Sequence, residues 1–127
     1  MHTFIVRFEG GHELVLTLRE TRTKTISYLE ASTPFKSLVM RWGDEIYFEA
    51  PFHAPLEDDA REAMEVGEVA YWPDGNAIAL FFGRTPVSVD DKPRAYTACN
   101  IVGKFEADVR ELRKVKSGST VAVLQEQ

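Results

Sequence analysis

The chain has one cysteine, Cys99, in 127 residues. A single thiol excludes an intramolecular disulfide and any thiolate-based metal cage. It stands in the apolar run Cys99-Asn100-Ile101-Val102, where a free cysteine packs as a small hydrophobe. Histidine is nearly as scarce. His2, His12 and His53 lie far apart in sequence with no paired ligand spacing, so no metal site is expected. Gly10-Gly11 stands alone, which leaves no glycine-rich phosphate loop, and no nucleophile-elbow motif is present. No cofactor is expected. No apolar run reaches membrane-spanning length, and Met1-His2-Thr3-Phe4 shows no basic segment leading into an apolar one. These features predict a soluble, cytoplasmic protein with no membrane partner. Positive charge is short as well. The formal net charge is −5, and nucleic-acid binding needs a basic footprint. The one basic cluster, Arg110, Arg113, Lys114 and Lys116, falls where a helix would end, and cations there complement the helix dipole.

What is present fits one domain spanning 1–127. Apolar residues make up 44% and charged residues 28%, enough for a buried core under a solvated surface. Eight Phe, four Tyr and two Trp make aromatic packing the main source of that core.

Period-two alternation dominates the pattern. Phe4, Val6 and Phe8 share one face of a strand over 2–8, Gly10-Gly11 supply a turn, and Leu14, Leu16 and Leu18 repeat the period. Residues 25–31 switch to helical spacing, with Thr25 as N-cap and Pro34 as terminator. Leu38 to Trp42 and Glu45 to Glu49 read as a hairpin about the tight-turn pair Gly43-Asp44, which would bring Arg41, Tyr47 and Glu49 into one site. Residues 51–67 read as a long loop carrying Glu57, Asp58 and Asp59, with a helical turn near Ala60 to Met64. Val69 to Trp72 and Ala77 to Phe82 form the clearest hairpin, about Pro73-Asp74-Gly75-Asn76. Residues 83–98 read as a surface excursion and Asn100 to Phe105 as a strand. Asp108 and Glu111 open a short helix running through Val115 that Gly118 ends, and Thr120 to Leu124 is the last strand. About eight short strands with two short helices predict a mainly β, closed barrel capped at its ends.

Four stretches then carry a resemblance. Trp42-Gly43-Asp44-Glu45-Ile46-Tyr47-Phe48, Gly67 to Pro73, Phe81-Phe82-Gly83-Arg84-Thr85-Pro86 and Asn100-Ile101-Val102-Gly103-Lys104 closely resemble a prokaryotic family of small cyclophilin-like proteins, over roughly residues 3–124. The resemblance implies a closed eight-stranded cyclophilin-like β-barrel with two short capping helices. It implies no particular reaction.

A more distant resemblance is to the cyclophilin peptidyl-prolyl isomerases. Ser37 to Glu49 can be laid without gaps on the cyclophilin segment that carries the catalytic arginine, and Arg41 takes its place. Ile46 and Tyr47 then stand where proline-pocket residues stand, Glu49 at a substrate-binding Gln, and Phe82 at the pocket phenylalanine. Arg94 falls near the cyclophilin tryptophan, and Cys99 or Asn100 at the pocket histidine. Leu80 replaces another substrate-binding Gln.

Three readings follow. The first is a domain that binds a peptide or small molecule on the outer barrel face around Arg41, Tyr47, Glu49, Phe82 and Asn100, with weak or no isomerase activity. The second is an active isomerase using Arg41, whose guanidinium would stabilise the twisted amide over an apolar cup. Glu49 could instead pair with Arg41 and occupy its donors. The third is a homodimer built through the aromatic hairpins. Trp42, Tyr71 and Trp72 are expected in the core or at the rim, and two of them exposed together would mark a ligand or partner patch.

Overall fold

A computed structural model describes residues 3–126; His2 lies outside the described residues. The chain is mainly β with two helices. Its strands are β1 (Thr3–Phe8), β2 (Glu13–Leu18), β3 (Phe35–Leu38), β4 (Met40–Arg41), β5 (Glu45–Glu49), β6 (Arg61–Ala63), β7 (Glu68–Trp72), β8 (Ala77–Phe81), β9 (Arg94–Glu106) and β10 (Thr120–Gln125). The helices are α1 (Lys24–Ser32) and α2 (Val109–Arg113).

The expected closed eight-stranded barrel is corrected on both counts. The sheet has ten strands and is open. Nine run in the order β3-β10-β1-β2-β9-β7-β8-β5-β4, and β6 pairs separately with β9. The reason lies at Val39. The segment expected as one strand splits there, so that β3 pairs with β10 and β4 with β5. Consecutive pieces of chain thus form the two opposite edges. Val39 donates to the Ser119 carbonyl and accepts from the Gly118 N–H. The Arg41 N–H bonds Ser117 Oγ. The turn at 117–119 therefore takes the hydrogen bonds that a closing ladder would have used.

The inner face of the sheet holds the main core. Phe4, Val6, Leu14, Leu16, Ile46, Phe48, Val69, Tyr71, Ile78, Leu80 and Phe82 are all buried there, as the alternation of each strand requires. Helix α1 adds Ile26 and Leu29, and α2 adds Leu112. The start of α1 and the end of α2 differ from the expectation. Thr23, not Thr25, caps α1 and accepts from the Ile26 N–H. Thr25 is buried, and its hydroxyl donates to Glu57 Oε2 at 2.7 Å. Asp108 caps α2 as expected, but the helix ends at Arg113, short of Val115.

A smaller second core lies on the outer face. Met64, Ala70, Ala79, Phe81, Ala95, Cys99 and Ile101 bury one another, with Tyr47 and Trp72 packed against them. Two expectations change here. Residues 61–63 are a strand, not a helical turn, and β9 begins at Arg94, inside the expected surface excursion. The small side chains of Ala70 and Ala79 on neighbouring central strands leave room for this covering layer. Gly103 serves the same end of β9 differently. An added Cβ would stand 2.1 Å from the Thr17 carbonyl oxygen, so only glycine lets β2 and β9 approach there.

Candidate functional site

The hairpin that carries the candidate residues turns as its sequence predicts. Gly43 has φ 62°, and Trp42 and Glu45 exchange both backbone hydrogen bonds at 3.0 and 3.2 Å. A two-residue loop with glycine first is a favoured hairpin connection. This loop fixes the register: Arg41 faces Ile46 and Met40 faces Tyr47. Paired residues share a face, and successive residues alternate. Arg41 therefore points to the inner side with Ile46, while Trp42, Glu45 and Tyr47 point outward.

On that inner side Arg41 is engaged through both terminal nitrogens, while its Nε–H is buried with no partner among the described residues. Its Nη1 donates to the carbonyls of Arg113 at 3.2 Å and Val115 at 2.8 Å, and its Nη2 to the Gly43 carbonyl at 3.0 Å. The guanidinium carbon sits 5.2 Å from the Phe82 ring centroid, and Asp44 lies 3.7 Å away. A cation at the last carbonyls of a short helix is favoured by their unpaired lone pairs and by the helix dipole. Arg41 thus ties α2 to the β4–β5 hairpin. Its partners are main-chain carbonyls and Asp44, not Glu49. Arg41→Met should keep the stem against Phe82, lose the three carbonyl bonds and lower stability by about 1–2 kcal/mol; urea unfolding reads this directly.

The other expected site residues do not form one surface. Ile46 and Phe82 are buried in the main core. Asn100 has no exposed surface. Its Oδ1 accepts from the Glu57 N–H at 2.8 Å, and its Nδ2 donates to Thr25 Oγ1 at 3.0 Å and the Pro55 carbonyl at 2.9 Å. Glu49 is exposed at the far end of β5, opposite Ala77. Arg94 pairs with Glu62 at 2.8 Å. Of the expected set, Arg41 and Phe82 meet on the inner side, and Tyr47 and Cys99 meet in one place on the outer face.

That outer place is a cavity of about 190 Å³, lined by Trp42, Glu45, Tyr47, Trp72, Ala95, Tyr96 and Cys99. Four aromatic rings stand edge-to-face around it. Trp42 and Tyr96 have centroids 6.1 Å apart at 86°, Trp72 and Tyr96 6.4 Å at 88°, and Tyr47 and Trp72 6.2 Å at 83°. The Trp72 indole is held by a 2.7 Å hydrogen bond to Thr97 Oγ1. Both tryptophans of the chain line this one cavity.

Glu45 is the polar group among them. It is only 8% exposed, and its Oε1 finds no hydrogen-bond partner among the described residues. Burial pushes its carboxyl from an ordinary 4.5 up to about 8, because a low-dielectric site disfavours the charged form. Burial likewise pushes the Cys99 thiol up to about 12, and Glu45, Asp74 and Glu62 add to the rise. A thiol so placed is a packing group rather than a nucleophile. Glu45 and Tyr96 were not expected as site residues, whereas Trp42 and Trp72, expected in the core or at the rim with their joint exposure marking a patch, line the cavity together. The hairpin register was the available signal for Glu45. Tyr96 depended on the unforeseen start of β9.

No group of three His, Cys, Asp or Glu side chains among the described residues is placed to hold a metal ion. No helix among the described residues is long and apolar enough to cross a membrane.

The chain belongs to the cyclophilin-like family: the model for that family matches residues 2–124. It is similar to the hypothetical protein AF2241 from Archaeoglobus fulgidus, solved in solution, with a TM-score of 0.82 and 35% identity over 98% of this chain and 95% of that one. No curated protein matches it.

Proposed function

We propose that this domain is a binding module that takes a small, mostly apolar group of a ligand or peptide into the outer-face cavity, without prolyl isomerase catalysis. The observation that carries the reading is the four-ring cavity on one face of the sheet while the arginine is engaged on the other. Isomerase chemistry needs a guanidinium beside the bound proline, directed at a nitrogen whose amide resonance sets a barrier of about 18–20 kcal/mol. Arg41 and the cavity are separated by the sheet itself. A preformed, concave, aromatic-lined pocket with one placed polar group has the usual make-up of a small-ligand site. Its volume is modest. An apolar cavity of roughly 150 Å³ accepts benzene, so a single six-membered ring fits here, or the tip of a larger ligand.

Tryptophan fluorescence tests this, because both indoles line the cavity. Cyclohexanol is expected to give a saturable change in emission, weakened several-fold in Tyr96→Ala. Tyr96 is 67% exposed, so its removal opens the cavity at little cost to the fold. No saturable change, or prolyl-peptide isomerisation above background that Arg41→Ala removes, overturns the reading.

A further inference from the structure

Resting on that reading of the cavity, we infer that its ligand is an organic ammonium ion carrying at least one N–H, seated with its carbons against the rings and its charge on Glu45. Three independent features lead there. The first is shape and π density: Trp42, Tyr47, Trp72 and Tyr96 surround a space of about 190 Å³, and aromatic faces attract a cation within about 6 Å, tryptophan most strongly. The second is the unpartnered carboxyl oxygen. Glu45 is more than nine-tenths buried, lines the cavity and leaves Oε1 without a donor. A buried acceptor with no donor costs about 1–3 kcal/mol, and an N–H of the ligand would meet that need.

The third is the sign of the surrounding charge. No lining residue is basic. The carboxyls of Asp74 and Glu62 act with Glu45 on the Cys99 thiol at the cavity wall. Arg94, the cation next to Ala95, is paired with Glu62. An anionic ligand would find no unpaired cation in the lining. A neutral alcohol would satisfy Oε1 but gain nothing from the rings beyond burial. An ammonium ion gains from both, in a site where water screens little. The raised carboxyl pKa, which burial causes, is consistent with this, since a cation seated beside Glu45 would favour its charged form.

The test pairs two probes of nearly equal shape, cyclohexylammonium and cyclohexanol, read by tryptophan fluorescence at about pH 9, where Glu45 is ionised and an alkylamine is still charged. The expected result is at least tenfold tighter binding of cyclohexylammonium, with the two affinities brought within about threefold of each other by Glu45→Gln. Equal or tighter binding of cyclohexanol overturns the inference while leaving the cavity as a ligand site. Absence of binding by either probe overturns both. N,N,N-trimethylcyclohexylammonium separates the two attractions: weaker binding than the primary ammonium supports the N–H bond to Glu45, and tighter binding contradicts it.

Discussion

Glu45→Gln should make the domain more stable at pH 8 and above by about 4–5 kcal/mol, and should do almost nothing near pH 4. The sign follows from proton linkage. The folded-state carboxyl is pushed to about 8 from an ordinary 4.5, so between those values the native state holds a proton that the unfolded state has lost. Stability then falls as pH rises through this window and levels off above it. At about 1.4 kcal/mol per pH unit, the whole window is worth of the order of 5 kcal/mol. The glutamine variant keeps the shape of the neutral acid and cannot ionise. Other carboxyls act in the opposite sense. Burial alone would raise the Glu68 carboxyl, but its pair with Arg61 at 2.5 Å and the Glu65 N–H outweigh burial and hold it low; that contribution is lost as pH falls. The difference between wild type and variant cancels this background. Urea unfolding of both proteins across pH 4.5 to about 9 should give a gap that widens up to about pH 8 and then levels off. Parallel curves would show that Glu45 is solvated or paired after all.

Asn100→Leu should destabilise the domain at any pH, by about 4 kcal/mol. Leucine has nearly the same size but neither donor nor acceptor. It would leave the Glu57 N–H and the Pro55 carbonyl facing an alkyl group and remove one of the two partners of Thr25 Oγ1, and each unmet buried group costs about 1–3 kcal/mol, with incomplete additivity inside one network. The network joins the start of α1, the 55–57 segment and the middle of β9. Asn100→Asp restores the acceptor alone and places a charge beside Glu57, so it should not rescue. Chemical denaturation measures both; a loss under about 1 kcal/mol for leucine would mean that these groups have other partners. Neither Asn100 variant should change cavity-ligand affinity under conditions where the protein is folded, because Asn100 does not line the cavity.

Much of the fold was legible because short-range rules decided it. The glycine turns at Gly10-Gly11 and Gly43-Asp44, the Pro73 to Asn76 connection and the inward rows of Phe and Leu follow from φ preferences and period two. What was not legible depends on long-range pairing. Nothing local to Phe35–Arg41 says that Val39 changes partners between strands at opposite edges of the sheet. Nothing in residues 61–63 or 94–98 announces that they pair and cover a face already marked by Ala70 and Ala79. The expected site residues are divided between two faces, a point the turn itself could have settled. A two-residue loop at Gly43-Asp44 places Arg41 opposite Ile46, and Arg41 then cannot share a face with Tyr47. The alignment with cyclophilins supplied residue types without that facing. Read by register alone, Trp42, Glu45 and Tyr47 would have emerged as the outward set.

Amide and indole chemical-shift mapping during titration with cyclohexylammonium addresses the siting of function most directly. Shifts confined to Trp42, Glu45, Tyr47, Trp72, Ala95, Tyr96 and Cys99, with both indole N–H signals moving together, are the result expected. Shifts centred on Arg41, Phe82 and the Arg113 to Val115 carbonyls at the other face would contradict it.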